Sequence, residues 1–307
     1  NGVSATTAPE AANDRRFPRL RQEHLEWTSP LTNRILVEAV GMHLFERWGN
    51  MHLRVKGGSL DNPAQEAALI GMIPVQDQAL NNLNYRAGDD FNNTSVPNYA
   101  YRAAMSYITG THAFKVGFNR THGFLEAYNY TLSPIRYRFG AGPTGSGIAS
   151  GVPNQVTISS RPHTTVANMD NDLGLYVQEG WRMDRLTLNL ALRYDYFATS
   201  FPEQTLAPTT FTPGRNVTFP AEDNLGYKDI TYRTGLTYDL FGTGKTAVKF
   251  NIGKYMTALT ASNSDLDLHP LIRANLQTTR TWNDTTTFPA GDPRNGNFIP
   301  NCDLVNP

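Results

Sequence analysis

The run Gly242-Thr243-Gly244-Lys245-Thr246 holds the residue types that cradle a phosphate. Small residues let backbone approach closely, a lysine supplies charge, and a hydroxyl can meet a metal. A phosphate loop also needs a glycine five residues before the last one and a helix after it. Position 239 is Asp, and the residues that follow alternate apolar with polar, as a strand does. The run therefore reads as a hairpin turn.

Other chemistry finds as little support. The seven histidines, His24, His43, His52, His112, His122, His163 and His269, include no pair at helical spacing with a glutamate between, so a metalloprotease motif is absent. No Gly-x-Ser-x-Gly turn presents a nucleophile. Asp284, Asp292, Asn295, Asn297 and Asp303 gather oxygen ligands that could hold Ca²⁺. They lack the Asp-x-Asp-x-Asp-Gly order and the terminal Glu, and an Asx-rich turn explains them more simply. The reading is a protein that is not an enzyme and has no cofactor and no resident metal.

The elements that carry these residues are strands. From Leu186 to Tyr196, Leu186, Leu188, Leu190, Leu192, Tyr194 and Tyr196 alternate with Thr187, Asn189, Ala191, Arg193 and Asp195. Only a strand puts i, i+2 and i+4 on one side. Leu173, Leu175 and Val177 alternate before it, and Arg182 to Arg185 turn the chain. The unit recurs, which predicts four hairpins near 19–45, 98–125, 172–197 and 230–256, or about eight antiparallel strands. Turns within hairpins are short. Connections between them, 46–97, 126–171, 198–229 and 257–307, are long and rich in Asn, Gly, Pro and Thr. Strict alternation of short and long sends every long loop to one end.

That polarity, with strands of about ten residues, is the pattern of an all-β transmembrane barrel with short periplasmic turns and long extracellular loops. Tyr194, Tyr196 and Trp181 lie toward strand ends, where an aromatic ring suits a lipid–water boundary. The alternative is a soluble antiparallel sandwich. The 307 residues carry 27 basic and 27 acidic side chains, so no global charge draws nucleic acid. Only 39% are apolar and mean hydropathy is −0.43. No run approaches the ~18 consecutive apolar residues of a transmembrane helix, which excludes such helices but not a barrel, whose strands hide half their residues from lipid. Cys302 is the only cysteine, so no internal disulfide can form. A non-Met start and a turn-rich end suggest an internal piece of a longer protein, with a partner for Cys302 elsewhere.

Within this frame Arg193, Asp195, Arg233, Asp239 and Lys249 are candidates for a mixed-charge, lumen-facing wall. Trp48, Tyr85, Tyr128, Tyr130 and Trp282 lie in or beside long loops, where they could stack on a sugar or grip a peptide, or equally pack loop against loop. Arg136, Arg138 and Arg161 form a sparse basic set in one loop, with a solvated face as the simpler reading.

Gly174 to Arg182, followed by Leu186-Thr187-Leu188-Asn189-Leu190-Ala191-Leu192-Arg193-Tyr194-Asp195, resembles the "YVQD-W…LTLN-GLRYD" run of TonB-dependent receptor barrels. Tyr227 to Arg233 and Tyr238 to Thr246 continue the likeness. Trp282-Asn283-Asp284 and Gly296 to Leu304 are similar to Oar-like members with a carboxypeptidase-regulatory-like N-terminal domain. The resemblance is good over 99–307 and thin before that. It implies a partial barrel, since such barrels have ~22 strands, with no plug domain or TonB box in this chain. It implies a receptor in the outer membrane of a Gram-negative type of bacterium, set in outer-membrane lipid. Such a receptor takes up a bulky, scarce solute (carbohydrate, siderophore or peptide) from outside, driven by a TonB-type periplasmic coupler. A structural or adhesive surface protein and a passive porin remain the alternatives.

Overall fold

A computed structural model describes residues 2–52, 72–140, 149–256, 271, 274–284 and 288–306. His269 lies outside the described residues, as does part of the 46–97 connection. A 3₁₀ turn, Pro9–Ala11, precedes the strands in chain order: β1 (Asn13–Pro30), β2 (Ile35–His52), β3 (Val75–Asp77), β4 (Leu83–Tyr85) and β5 (Phe91–Thr109). Then follow β6 (His112–Tyr130), β7 (Ile135–Phe139), β8 (Pro153–Ser159), β9 (His163–Met183) and β10 (Leu186–Phe201). The last are β11 (Gln204–Leu206), β12 (Val217–Phe219), β13 (Glu222–Asp239), β14 (Ala247–Gly253) and β15 (Gln277–Thr281).

Eight strands form one antiparallel meander, β1-β2-β5-β6-β9-β10-β13-β14. Its hairpin turns are short because the residues there suit them. Gly110 (φ 55°) closes β5 to β6, and Asp184 (φ 42°) closes β9 to β10. The Asp239 carboxylate closes β13 to β14, accepting the N–H groups of Phe241, Gly242 and Gly244 at 3.3, 3.0 and 2.8 Å. Those bonds, Gly244 first, hold its carboxyl below the usual carboxylate range. The Gly-Thr-Gly-Lys-Thr run is this turn.

The strands run well past the expected hairpin limits. β5 begins at Phe91 rather than 98, and β9 at His163 rather than 172. The long connections are also more ordered than a loop-rich composition predicts. Three of them supply a second sheet of five strands, β15-β8-β7-β3-β4, at the end opposite the short turns. β3 and β7 pair in parallel there. Its core is Val75, Tyr137, Phe139, Val156 and Trp282, with Ile73, Tyr85, Ile135 and Leu304 packed around it. Asp77, 1% exposed, is satisfied by Ala79 N–H, Ser150 Oγ and Gly151 N–H. That matters because an unpaired buried carboxylate costs several kcal/mol on the order of a broken ion pair. β11 and β12 make a separate small hairpin, tied back to β9 by Gln204, whose amide both accepts from and donates to the Val166 backbone.

The eight-stranded sheet has two unlike faces. The pairing register aligns Trp27, Ala39, Ala103, Phe118, Leu175, Tyr194 and Ile230 in one transverse row. These side chains have little beneath them: Trp27 is 53% exposed and Leu192, on the same face, 51%. The register aligns Glu26, Val40, Arg102, Asn119, Gly174, Asp195 and Asp229 on the other face. A soluble sandwich would cover the apolar face with a second sheet. Here the five-stranded sheet packs at the strand ends, and the apolar face stays open.

Candidate functional site: a charged wall beneath a folded outer surface

All five residues expected to line a lumen share the polar face. Arg193 faces Thr231 and Tyr176 across the ladder, and Arg233 faces Ala191 and Gly253. Lys249 pairs with Thr237, and Asp239 with Ala247 at the turn. Arg193 Nε donates to Asp195 Oδ1 at 2.6 Å, and the Arg233 guanidinium lies 4.6 Å from the Tyr255 ring centre. Register brings in partners that alternation in single strands could not assign. Lys115 Nζ donates to Glu38 Oε2 at 3.0 Å, Arg102 Nη2 lies 3.9 Å from Glu26, and Lys254 Nζ donates to Asp229 Oδ1 at 3.0 Å. Each pair joins neighbouring or next-neighbour strands, so the polar face is a lattice of both signs. A depression in it is lined by Asn119, Asp172, Arg193, Asp195, Arg233 and Lys254.

Two glycines shape this wall. A Cβ at Gly174 would collide with the Arg193 guanidinium, and one at Gly117 would meet the Tyr176 hydroxyl. Long side chains therefore lie down across neighbouring strands rather than standing into the space above. A broad concavity on the opposite face, lined chiefly by Val37, Ala103, Met105, Val116, Leu175 and Leu192, is overwhelmingly apolar.

The loop aromatics divide. Trp282, 6% exposed, is the centre of the outer sheet's core, 4.5 Å from the Tyr137 ring. Tyr85 packs against the same cluster, and Tyr130 is buried with Phe91 and Leu132. Trp48 is half-buried beneath the Arg15 guanidinium, 4.5 Å from the ring centre. Tyr128 is exposed, stacked on Tyr130. Arg136 and Arg138 alternate with Ile135, Tyr137 and Phe139 in β7, pairing with Asp89 and with Gln76 and Gln155.

The five residues with Ca²⁺-ligand chemistry do not converge. Asp292 is held by Arg294 at 2.7 Å, whose hydrogen bonds pull its carboxyl down to about 2. Asp284 is buried and accepts Phe298 N–H, and Asn297 accepts Ile299 N–H. Asn295 donates to the Phe288 carbonyl, and Asp303 accepts Val305 N–H. Asp292, Asn297 and Asp303, each accepting the N–H two residues on, make Asx turns, while Asp284 and Asn295 tie the loop to itself over longer spans. Among the described residues no three His, Cys, Asp or Glu side chains group as a metal site would. Cys302 is free and exposed. His163, the first residue of β9, is pulled down to about 4, first by burial and then by Arg161 and Arg215.

A profile of the family described as outer membrane beta barrel domain matches residues 7–304. The chain belongs to that family. An open apolar face and a charged opposite face are what such a wall needs, with lipid on one side and water on the other. The protein is accordingly an all-β outer-membrane barrel segment, located in the outer membrane and bounded by its lipid. Among solved structures, "Copper transporter OprC" is similar at a TM-score of 0.43 and 12% identity, over 78% of this chain and 31% of that one. The chain thus spans less than a third of that structure's length. No curated protein matched the sequence.

Proposed function

We propose that this barrel domain belongs to an active-transport receptor of the TonB-dependent type, in the Oar-like subgroup. It would import a bulky, scarce solute: a carbohydrate, siderophore or peptide. The observation that carries the reading is the open eight-stranded sheet with a charged inner face. β1 and β14 each have a neighbour on one side only among the described strands. In lipid no edge can stay unpaired, so further strands must complete the wall. A barrel wider than eight strands has a lumen that side chains alone do not fill. A lumen of that width needs a plug to be selective. The ion-pair lattice of Glu38, Lys115, Arg193 and Asp195 suits reversible salt links and water against such a plug. Energy would come from a TonB-type periplasmic coupler acting through the plug. The domain has no catalytic role in this reading, and Tyr128, Trp48 and Tyr85 are its candidate ligand contacts on the outer side.

A second reading has an observation of its own. The five-stranded outer sheet is a folded surface with a core, as an adhesive protein would present. Uptake of labelled solutes by cells carrying the full-length protein separates these readings. Transport requires accumulation that a protonophore abolishes, with no steady conductance in a planar bilayer. Steady, protonophore-insensitive conductance would mean a porin. Surface binding without accumulation would mean adhesion.

A further inference from the structure

His112 Nδ1 donates to Glu179 Oε1 at 2.6 Å. Both residues belong to the apolar face of the eight-stranded sheet. Glu179 shares its side of β9 with Leu175 and Val177, and His112 its side of β6 with Phe114 and Val116. The register sets Glu179 between Phe114 of β6 and Leu190 of β10, and His112 opposite Trp181. No other acidic or basic side chain shares this face over 103–109, 112–118, 175–183 and 186–194. Lys115, Arg182 and Arg193, which fall in those ranges, alternate onto the polar face. A charged side chain on a lipid-facing wall is destabilising, and an ionisable group kept there points to a function.

The chemistry of the pair suits a cation. An ionised carboxylate only accepts, so the Nδ1 proton lies between the two groups and the neutral ring keeps Nε2 as an acceptor. Among the described residues neither side chain makes a second hydrogen bond or ion pair. Glu179 Oε2 and His112 Nε2 are therefore two acceptors in a pair of net negative charge. The imidazole stacks on Phe114 at 5.7 Å and on Trp181 at 5.2 Å, and Trp181 is 36% exposed. Aromatic faces attract cations, the indole most strongly. A carboxylate, a ring nitrogen and an indole together fit a primary ammonium, which brings one charge and three N–H donors.

The position of the pair says where such a group comes from. His112 opens β6 directly after the Gly110-Thr111 turn, so the pair lies at the short-turn, periplasmic rim of the wall. Trp181 beside it suits the lipid–water boundary, the level of lipid headgroups.

The geometry points to a site for the ammonium of an ethanolamine-type phospholipid on this rim, held by Glu179 and His112 with Trp181 as its aromatic wall. The acyl chains lie along Val116, Val177 and Leu192 in the apolar concavity. A choline headgroup has no N–H to donate, and a glycerol headgroup has no cation, so neither satisfies both acceptors. The site faces lipid rather than lumen, so it stands apart from the transport reading.

The test uses the full-length protein, purified in neutral detergent and stripped of lipid. Chain-matched phosphatidylethanolamine, phosphatidylcholine and phosphatidylglycerol, and free ethanolamine, are added separately. Native mass spectrometry and the melting midpoint are the readouts. Phosphatidylethanolamine is expected to be retained about tenfold better than the other two lipids, and alone to raise the midpoint. Glu179→Gln keeps the shape and removes the charge, and should bring its retention down to the phosphatidylcholine level. Trp181→Leu should weaken retention by about threefold. Glu203→Gln, between β10 and β11 at the other end of the strands, should change nothing. If Glu179→Gln does not fold, Trp181→Leu and the comparison of lipids on the unaltered protein carry the test. Equal retention of the three lipids, or retention indifferent to Glu179, would overturn the proposal. So would free ethanolamine matching the lipid, which would mean a soluble-amine site, or a mass of two copies in place of bound lipid, which would mean a self-association contact.

Discussion

The Arg193 guanidinium occupies the volume that a side chain at Gly174 would fill. Gly174 lies opposite Asp195 on the neighbouring strand, and Arg193 Nε donates to that same Asp195 at 2.6 Å. A long cation is thus laid flat against the wall, with its charge met within one strand. Gly174→Val should force the guanidinium out and cost about 1–3 kcal/mol as an overpacking change. Heat-modifiable gel mobility and the melting midpoint of the full-length protein check it. Arg193→Ala in the same background should restore part of the loss.

Trp282 anchors the outer sheet, packed against Tyr137 and Phe139 of β7 in a core shared with Val75 and Val156. Trp282→Ala should cost about 3–5 kcal/mol within that sheet. Limited proteolysis should then cut the 135–159 and 277–281 segments, while the eight-stranded wall keeps its heat-modifiable mobility.

His163 gives the outer surface a pH dependence. Its pKa in the fold, about 4, is lower than the ordinary 6.5, because burial and the nearby Arg161 and Arg215 oppose a charge. Between those values the unfolded segment binds the proton and the folded one does not, so stability rises with pH. The contribution is complete above about 6.5 and is lost as pH falls toward 4. Hydrogen exchange across 161–167 should speed up over that window, and His163→Gln should flatten the response.

Leu192 and Arg193 are neighbours with opposite surroundings. Leu192→Arg places a charge in hydrocarbon near mid-membrane and should cost about 2–4 kcal/mol. Arg193→Leu removes a lumen charge and should cost far less than that. Denaturant unfolding in liposomes would read the difference.

How much of this was legible in the sequence follows from where water is. Between about Leu186 and Tyr196, and in the matching parts of the other hairpins, one face meets lipid and the other water, so alternation is strict. Farther out, as from Phe91 to Val96 and from His163 to Asp170, both faces are hydrated or covered by loops. Apolar residues stop alternating there, and the strands read as loop. The outer sheet left a fainter trace. Ile135-Arg136-Tyr137-Arg138-Phe139 does alternate, but a five-residue run resembles a basic patch until Val75 and Val156 flank it in the sheet and Trp282, far away in sequence, packs on its apolar side. Parity alone puts the wall charges on one face of the sheet, and the register keeps them there. Their partners, such as Glu38 for Lys115, depend on register between strands and had no local signal. Trp282 and Tyr130, candidates for ligand contact by their position in loops, serve packing, because loops that fold into a sheet need a core.

The most direct test of the two-faced wall is a nitroxide scan from 189 to 195 in the full-length protein in liposomes, with Cys302→Ser removing the free thiol. Leu190, Leu192 and Tyr194 sites should be accessible to oxygen dissolved in lipid, and Asn189, Ala191, Arg193 and Asp195 sites to a water-soluble nickel reagent. A two-residue period in opposite phase for the two reagents is the expected result. Uniform access to the aqueous reagent at every position, or no period at all, would contradict the membrane-spanning wall.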